Sequence, residues 1–275
     1  MIGQELKKAR DFEKKYLPYT TDELPKFHVT GGIGWINDPN GFSTYKGEYH
    51  LFFQYYPYDT KWGPMHWGHV KTRDFIRWDR LPTAMAPDQP YDKSGCFSGS
   101  AIELEDGRQL LLYTGVRSER RRDGKIVYYQ TQCAAVGDGI DYTKLENNPL
   151  IGTDLLPEGG DIHDFRDPKI WREDGKYYAV VGNRTQDTSG SILMFESDDA
   201  FNWRFLSVLA SCHNQYGKMW ECPDFFPLDG YHVLIVSPQE MSAIGLEFHP
   251  GNANVCLIGE FDREKHHLNR ENVQA

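Results

Sequence analysis

The chain has 275 residues, of which 39% are hydrophobic and 14% are aromatic, so it can bury the core of one sizeable domain or of two small ones. Its formal net charge of −10 argues against nucleic acid or an anionic membrane surface as the main partner. No apolar run in the sequence is long enough to span a bilayer, so we expect no membrane partner.

The cysteines and the N-terminus bear on the cellular compartment. The five cysteines are scattered and form no CxxC pair, which disfavours a disulfide framework and a zinc site and favours reduced thiols. Residues 1–16 are charged and lack the apolar stretch of a signal peptide. We therefore expect a cytoplasmic protein.

The first predicted element is a short amphipathic helix over Gln4–Tyr16, which ends before Pro18. Its apolar residues recur at helical spacing among charged ones. They are Leu6, Ala9, Phe12 and Tyr16. We interpret this helix as an N-terminal brace without a chemical role.

From Phe27 onward, short aromatic and β-branched runs alternate with Gly, Asp and Pro, which is typical of an all-β fold. Four segments share one layout: a polar or acidic start, a strand, a turn with glycine and an apolar strand. The starts are Asp38, Ser98, Asp167 and Glu221, and the turn glycines are Gly47, Gly107, Gly175 and Gly230. Asp38-Pro-Asn-Gly41 alone would indicate only a turn, but the repeat places an acid at the same point elsewhere.

In three segments an Asp precedes an aromatic residue by four positions, which predicts a turn between a third and a fourth strand. The pairs are Asp74 and Trp78, Asp138 and Tyr142, and Asp199 and Trp203. Four antiparallel strands in each repeat predict the blades of a β-propeller. A sandwich or a barrel is the alternative, but neither requires this periodicity. The length holds about four blades, the last of which is expected to lack strands.

In a propeller, equivalent positions of the blades share one radius and one height. We therefore expect Asp38, Asp167 and Glu221 to meet in one pocket, where mutual repulsion raises at least one pKa. One protonated acid beside ionised partners is the arrangement that glycoside hydrolysis requires. The second repeat contributes Phe97-Ser98, a neutral wall and a hydroxyl group.

Aromatic and polar residues surround the predicted pocket. Rings on which a sugar could stack are Trp35, Trp62, Trp67, Phe97 and Trp220, and groups that could bond its hydroxyls are Asn37, Gln54, Ser98 and Arg166. The alternative for each ring is a place in the core between blades.

Several motifs have a plainer interpretation. Arg166-Asp167 alone would indicate a structural ion pair, and Glu221 alone would indicate a solvated charge at the start of a strand. Both lie in register with Asp38, which favours a place in the predicted catalytic pocket. His66 and His69 have no third ligand in register, which favours loop packing over a metal site.

Two further features stay open. Cys222 is a candidate for tuning the neighbouring Glu221, or a small buried hydrophobe. The run Arg117–Arg122 is typical of a solvated hairpin tip, or it helps to bind a phosphorylated sugar, since arginine suits phosphate.

Short motifs follow one another along the chain: Trp35–Gly41, Phe53-Gln54, Trp62–Gly68, Phe97–Gly99, Arg166–Pro168 and Glu221–Pro223. In sequence and order they resemble glycoside hydrolase family 32, and within it the bacterial hydrolases of sucrose and sucrose 6-phosphate. The resemblance implies a five-bladed propeller followed by a β-sandwich. We expect residues 1–26 to form a helix and lead-in, and residues 27–275 an incomplete catalytic propeller domain without the fifth blade and the sandwich.

The resemblance also implies roles for the acids. Asp38 would be the nucleophile at the anomeric carbon, Glu221 the acid/base, and Asp167 the stabiliser of the transition state. Configuration would be retained, for which the two working carboxyl groups should stand about 5–5.5 Å apart. No metal or cofactor is needed. The implied sugar contacts are Asn37, Gln54, Trp62, Ser98, Arg166, Trp35 and Phe97.

The leading hypothesis is therefore a β-fructofuranosidase that releases fructose from sucrose or sucrose 6-phosphate by double displacement. One alternative is a non-catalytic propeller that binds sugars or fructans. Another is a fructan hydrolase or fructosyltransferase that uses the same acids. The sequence does not indicate an oligomeric state.

Overall fold

The computed structural model describes residues 3–19, 24–25 and 27–270. Part of the predicted lead-in and the last five residues of the predicted propeller domain lie outside these ranges. Helix α1 spans Gln4–Tyr16, the residues that the sequence predicts, and a 3-10 turn over Leu17–Tyr19 follows it. The helix buries Leu6 and Ala9, as its periodicity requires.

The rest of the described chain contains sixteen strands in four sheets of four, and a 3-10 turn over Thr153–Leu155 that precedes the third sheet. The first sheet contains β1 (Trp35–Tyr45), β2 (Glu48–Tyr56), β3 (His66–Thr72) and β4 (Asp79–Met85). The second contains β5 (Gly95–Glu103), β6 (Gln109–Arg120), β7 (Ile126–Gly137) and β8 (Tyr142–Lys144). The third contains β9 (Gly160–Glu173), β10 (Lys176–Thr185), β11 (Gly190–Ser197) and β12 (Trp203–Ser211). The fourth contains β13 (Met219–Leu228), β14 (Tyr231–Gln239), β15 (Val255–Asp262) and β16 (His267–Asn269).

In every sheet the strands lie side by side in sequence order, which is the arrangement of a propeller blade. The prediction of an all-β fold with about four blades and one N-terminal helix is confirmed. The expectation that the last blade lacks strands is wrong, because β15 and β16 complete the fourth sheet.

The chain divides into two compact units. The first comprises Met1–Tyr128 and Cys133–Pro149, and the second comprises Tyr129–Gln132 and Leu150–Ala275. The first two sheets belong to the first unit, except for the middle of β7, and the last two sheets belong to the second unit.

The predicted aspartate turns join the third and fourth strands of the first three sheets. The carboxylates of Asp74, Asp138 and Asp199 each accept hydrogen bonds of 2.7–3.0 Å from the backbone N–H groups two and three residues later. Asp262 makes the same turn between β15 and β16. The sequence pattern missed this fourth turn, because His266 stands where the other three have Trp or Tyr.

Each unit has its own apolar core. Phe52, Trp67 and Tyr113 lie in the core of the first unit, and Trp220 and Leu234 lie in that of the second. Trp67 and Trp220 are fully buried, and their indole N–H groups donate to the carbonyl oxygens of Phe97 (3.0 Å) and Tyr216 (2.7 Å). The prediction that these two rings line a sugar pocket is therefore wrong, and the core alternative holds for them.

Candidate active site

The acid in the first repeat lies in a β-bulge and not in a chain-reversing turn. Asn37 and Asp38 together face Gln54, between the regular pairs of β1 with β2. In β5, Phe97 pairs with Thr114 and Gly99 with Tyr113, so Ser98 is likewise an extra residue between two regular pairs. Bulges re-aim side chains and are common beside active sites.

The second unit repeats this irregularity. In β9, Asp167 and Pro168 together face Val181. In β13, Cys222 and Pro223 together face Val236, directly after Glu221. The predicted site positions thus coincide with a break in the ladder of the first strand in all four sheets.

Asp38 is held by neighbours on both of its carboxylate oxygens. Asn37 Nδ2 donates to Oδ1 at 3.1 Å, and Ser98 Oγ donates to Oδ2 at 2.5 Å. Trp35 Nε1 donates to Asn37 Oδ1 at 2.9 Å and fixes that amide in turn. Asp38 remains partly exposed, so its carboxylate is oriented but accessible.

The buried side-chain amides of Asn40 and Gln54 bond to each other, and that of Asn40 also bonds to Ser98. With the Asn40 amide oriented to satisfy both of its polar atoms, its nitrogen donates to Ser98 Oγ at 3.2 Å and its oxygen accepts from Gln54 Nε2 at 2.9 Å. Gln54 Nε2 also donates to the carbonyl oxygen of Cys96 at 3.0 Å. Gln54 is buried, and its contact with a sugar stays a prediction. The sequence interpretation missed Asn40, because it took this residue only as part of a turn.

Two aromatic rings lie near this group in the first unit. The rings of Trp62 and Phe97 meet edge to face, with centroids 6.1 Å apart. Trp62 is about half exposed (51%) and Phe97 is partly exposed. These rings offer an apolar surface of the kind on which sugars stack.

Arg166 organises the acids of the second unit. Its Nε atom donates to Glu221 Oε1 at 2.9 Å, and its Nη1 atom donates to Asp164 Oδ1 at 2.6 Å. The guanidinium group is buried, and burial opposes its charge. The charges of Asp167, Glu221 and Asp164 outweigh this effect and raise the pKa of Arg166. Asp164 was missed by the sequence interpretation, although residues two apart on a strand share a face.

The side chain of Asp167 faces the bulge that follows Glu221. Its Oδ2 atom accepts from the backbone N–H of Cys222 at 3.0 Å and lies 3.5 Å from Cys222 Sγ. Asp167 and Cys222 have φ angles of +65° and +48°, in the left-handed region that residues with a Cβ rarely adopt. Such strained backbone is retained where the surrounding structure fixes it, often at functional sites.

Equivalent positions of neighbouring sheets are thus adjacent within each unit. The first unit brings Asp38 and Ser98 together, and the second brings Arg166 and Asp167 to Glu221 and Cys222. The meeting of Asp38 with Asp167 and Glu221 in one pocket stays a prediction.

His66 and His69, the two histidines weighed as metal ligands from the sequence, have structural contacts. His66 Nδ1 lies 2.9 Å from the carbonyl oxygen of Pro64, and His69 Nε2 lies 2.9 Å from His50 Nδ1. Within the described ranges, no three His, Cys, Asp or Glu side chains are grouped so that they could hold a metal ion. The helical part of the described chain contains no segment with the length and apolarity of a membrane span.

Comparison with known proteins identifies similar chains. The family model "Glycosyl hydrolases family 32 N-terminal domain" matches residues 28–275. A sucrose-6-phosphate hydrolase of Zymomonas mobilis is 41% identical over 270 residues, which cover 92% of this chain and 51% of that protein. The sucrose-6-phosphate hydrolase of Bacillus subtilis is 41% identical over 246 residues, which cover 88% of this chain and 49% of that protein.

Solved structures show the same likeness. The Bombyx mori GH32 beta-fructofuranosidase has a TM-score of 0.86 and 38% identity, over 98% of this chain and 56% of that one. Fructan 1-exohydrolase IIa of Cichorium intybus has a TM-score of 0.73 and 29% identity, over 90% of this chain and 46% of that one. The chain spans about half the length of the curated relatives that it matches.

Proposed function

Because the chain belongs to glycosyl hydrolase family 32, we propose that it carries the catalytic acids of a retaining β-fructofuranosidase. The substrate would be sucrose or sucrose 6-phosphate, and the unit released would be β-D-fructofuranosyl. The observation that carries the proposal is the Asp38 carboxylate, which Ser98 and Asn37 hold on both oxygens while it remains accessible.

The proposed reaction has two displacements. Asp38 attacks the anomeric carbon of the fructosyl unit, while Glu221 donates a proton to the leaving oxygen. Glu221 then takes a proton from water, which attacks the covalent intermediate and releases Asp38. Asp167 hydrogen-bonds the hydroxyl groups of the fructosyl ring as its charge develops. Arg166 supports the two proton transfers, because its hydrogen bond fixes the carboxyl group of Glu221.

We also propose a cytoplasmic location. The support is that none of the five cysteines, all of which the structure describes, forms a disulfide, and that three of them are buried.

The proposal is tested with Asp38→Asn and Glu221→Gln variants, which keep the size of each side chain. Each should lower kcat/KM for fructose release by about 10³-fold or more, because each removes a reacting group. Asp224→Asn is the matched control: Asp224 lies on β13 with Glu221, but it is half-exposed and pairs with Lys169. It should change kcat/KM by less than about threefold. Activity within a few-fold of the unmodified chain in either test variant would exclude this mechanism.

A panel of sucrose, sucrose 6-phosphate and 1-kestose separates the remaining candidates. Preference for 1-kestose would favour a fructan hydrolase, and transfer products at high sucrose would favour a fructosyltransferase. Sugar binding by calorimetry without any turnover would favour the non-catalytic alternative.

A further inference from the structure

The segment that joins β6 to β7 has an unusual concentration of positive charge. We call residues 117–125 the basic hairpin. It contains two acidic side chains, Glu119 and Asp123, against five basic ones in a chain whose net charge is −10. The basic residues are Arg117, Arg120, Arg121, Arg122 and Lys125, and all are exposed.

The two acids of the basic hairpin leave most of this charge uncompensated. Glu119 pairs with Arg117, and Asp123 Oδ1 accepts from the backbone N–H of Lys125 at 3.0 Å. In the part of the chain that the structure describes, no carboxylate pairs with the three consecutive arginines between them, Arg120–Arg122. By contrast, Arg108, which directly precedes β6, pairs with Asp106 at 2.6 Å.

The basic hairpin extends from the end of the second sheet that carries Ser98. The register of β5 with β6 pairs Phe97 with Thr114 and ends at Gly95 and Val116. Strand β6 then continues to Arg120, and Ser94 Oγ lies 2.8 Å from Ser118 Oγ along this extension. Four further strand residues span about 13 Å. The arginines thus lie beyond Ser98 at its own end of the sheet.

We propose that the basic hairpin binds the phosphate group of a phosphorylated sugar substrate and gives it preference over unmodified sucrose. The inference rests on the proposed function, in which the fructosyl unit lies at Asp38. In sucrose 6-phosphate the phosphate is on the glucosyl unit, which is the leaving group and extends away from Asp38. The guanidinium fork of arginine matches phosphate oxygens in a bidentate manner. A dianion approaching an acidic chain also needs such a local cationic field.

The test compares a hairpin variant, R120Q/R121Q/R122Q, with a charge-matched control, K7Q/K14Q/K15Q. The control removes three exposed cations of α1 in the same unit. In the hairpin variant, kcat/KM for sucrose 6-phosphate should fall at least ~10-fold while that for sucrose changes less than ~3-fold. The control should change both values less than ~3-fold.

Salt provides a second test of the same charge interaction. Raising the salt from about 0.05 M to 0.5 M should reduce the preference of the unmodified chain for sucrose 6-phosphate over sucrose. Equal losses on both substrates, or no loss on sucrose 6-phosphate, would overturn the inference.

Binding measurements separate this inference from the proposed function. Calorimetry on the Asp38→Ala chain, with and without the hairpin substitutions, needs no turnover. If the unmodified chain hydrolyses neither sugar, the proposed function fails. The inference about the hairpin still holds in that case if sucrose 6-phosphate binds more tightly than sucrose and the hairpin variant loses this difference in affinity. Equal affinity for the two sugars, or no binding of either, would overturn it. Inorganic phosphate that binds as tightly as sucrose 6-phosphate would indicate a general anion site and would overturn it too.

Discussion

Ser98 Oγ on β5 donates a hydrogen bond of 2.5 Å to Asp38 Oδ2 on β1, so a hydroxyl from one sheet orients a carboxylate on its neighbour. Both residues lie where the ladder of their strand is interrupted. A regular strand would place each side chain by simple alternation. The two bulges are therefore part of how the first unit brings this pair together.

We predict that Ser98→Ala lowers kcat/KM for fructose release about 10- to 100-fold, because hydrogen bonds to charged groups contribute about 1.5–3 kcal/mol. The effect should appear mainly in kcat, since Asp38 would lose orientation and not substrate contact. Steady-state kinetics measure it, and circular dichroism checks the fold. Ser43→Ala is the control: it removes a hydroxyl group on β1 that donates to the carbonyl oxygen of Gly41, and it should leave kcat within about threefold. A Ser98→Ala chain as active as the Ser43→Ala chain would contradict the prediction.

We predict that Arg166→Leu lowers the free energy of unfolding by about 3–5 kcal/mol, because it leaves Glu221 and Asp164 beside a buried apolar side chain. Urea unfolding measures the loss. Arg204→Leu is the control, since the Arg204 side chain is 54% exposed where it pairs with Glu196. Exposed pairs contribute about 1 kcal/mol or less. If the two variants lose equal stability, Arg166 does not organise its acids as described.

Local sequence rules predicted most of the framework. Gly47 closes its hairpin with a φ angle of +77°, and Asp74, Asp138 and Asp199 close the outer turns, because each needs only its own neighbours in the chain. The fully buried position of Trp220 was not predictable in this way, since it depends on contacts between distant strands.

The bulges were unpredictable for the same reason. A bulge is a mismatch in length between two strands, which neither strand encodes alone. Asn40 shows the consequence: its motif was recognised, but its role behind Ser98 depends on Gln54 of the next strand. The repeat nevertheless located the site positions, because equivalent residues of successive sheets do lie together within each unit.

We predict that Cys222→Val destabilises the chain by about 1–3 kcal/mol, because a β-branched residue is strained at a φ of +48°. Cys222→Gly should be more stable than Cys222→Val, since glycine adopts this conformation freely and keeps the N–H that donates to Asp167. Cys256→Val is the control: Cys256 is exposed on β15, where valine suits a strand, and its change should stay within about 0.5 kcal/mol. Thermal melting measures all three. Equal stability of the valine and glycine variants at position 222 would show that the backbone there is unstrained.

The last prediction concerns His66, which makes stability depend on pH. Burial lowers the pKa of His66 to about 4, from an ordinary value of 6.5. Below pH 6.5 the unfolded chain binds a proton at this residue that the folded chain does not. Stability is therefore lost as the pH falls from 6.5 towards 4, by about 3 kcal/mol over the whole window.

His66→Asn removes this titration and can keep a donor to the carbonyl oxygen of Pro64, which His66 Nδ1 contacts at 2.9 Å. Near pH 5, the dependence of the unfolding free energy on pH should become shallower by about 1.4 kcal/mol per pH unit. Urea unfolding between pH 4.5 and 7.5 measures the slope. His249→Asn is the matched control, because His249 Nδ1 also contacts a proline carbonyl oxygen, that of Pro250, but is exposed. Its slope should match that of the unmodified chain, and an unchanged slope in His66→Asn would mean that His66 accepts a proton within the folded protein.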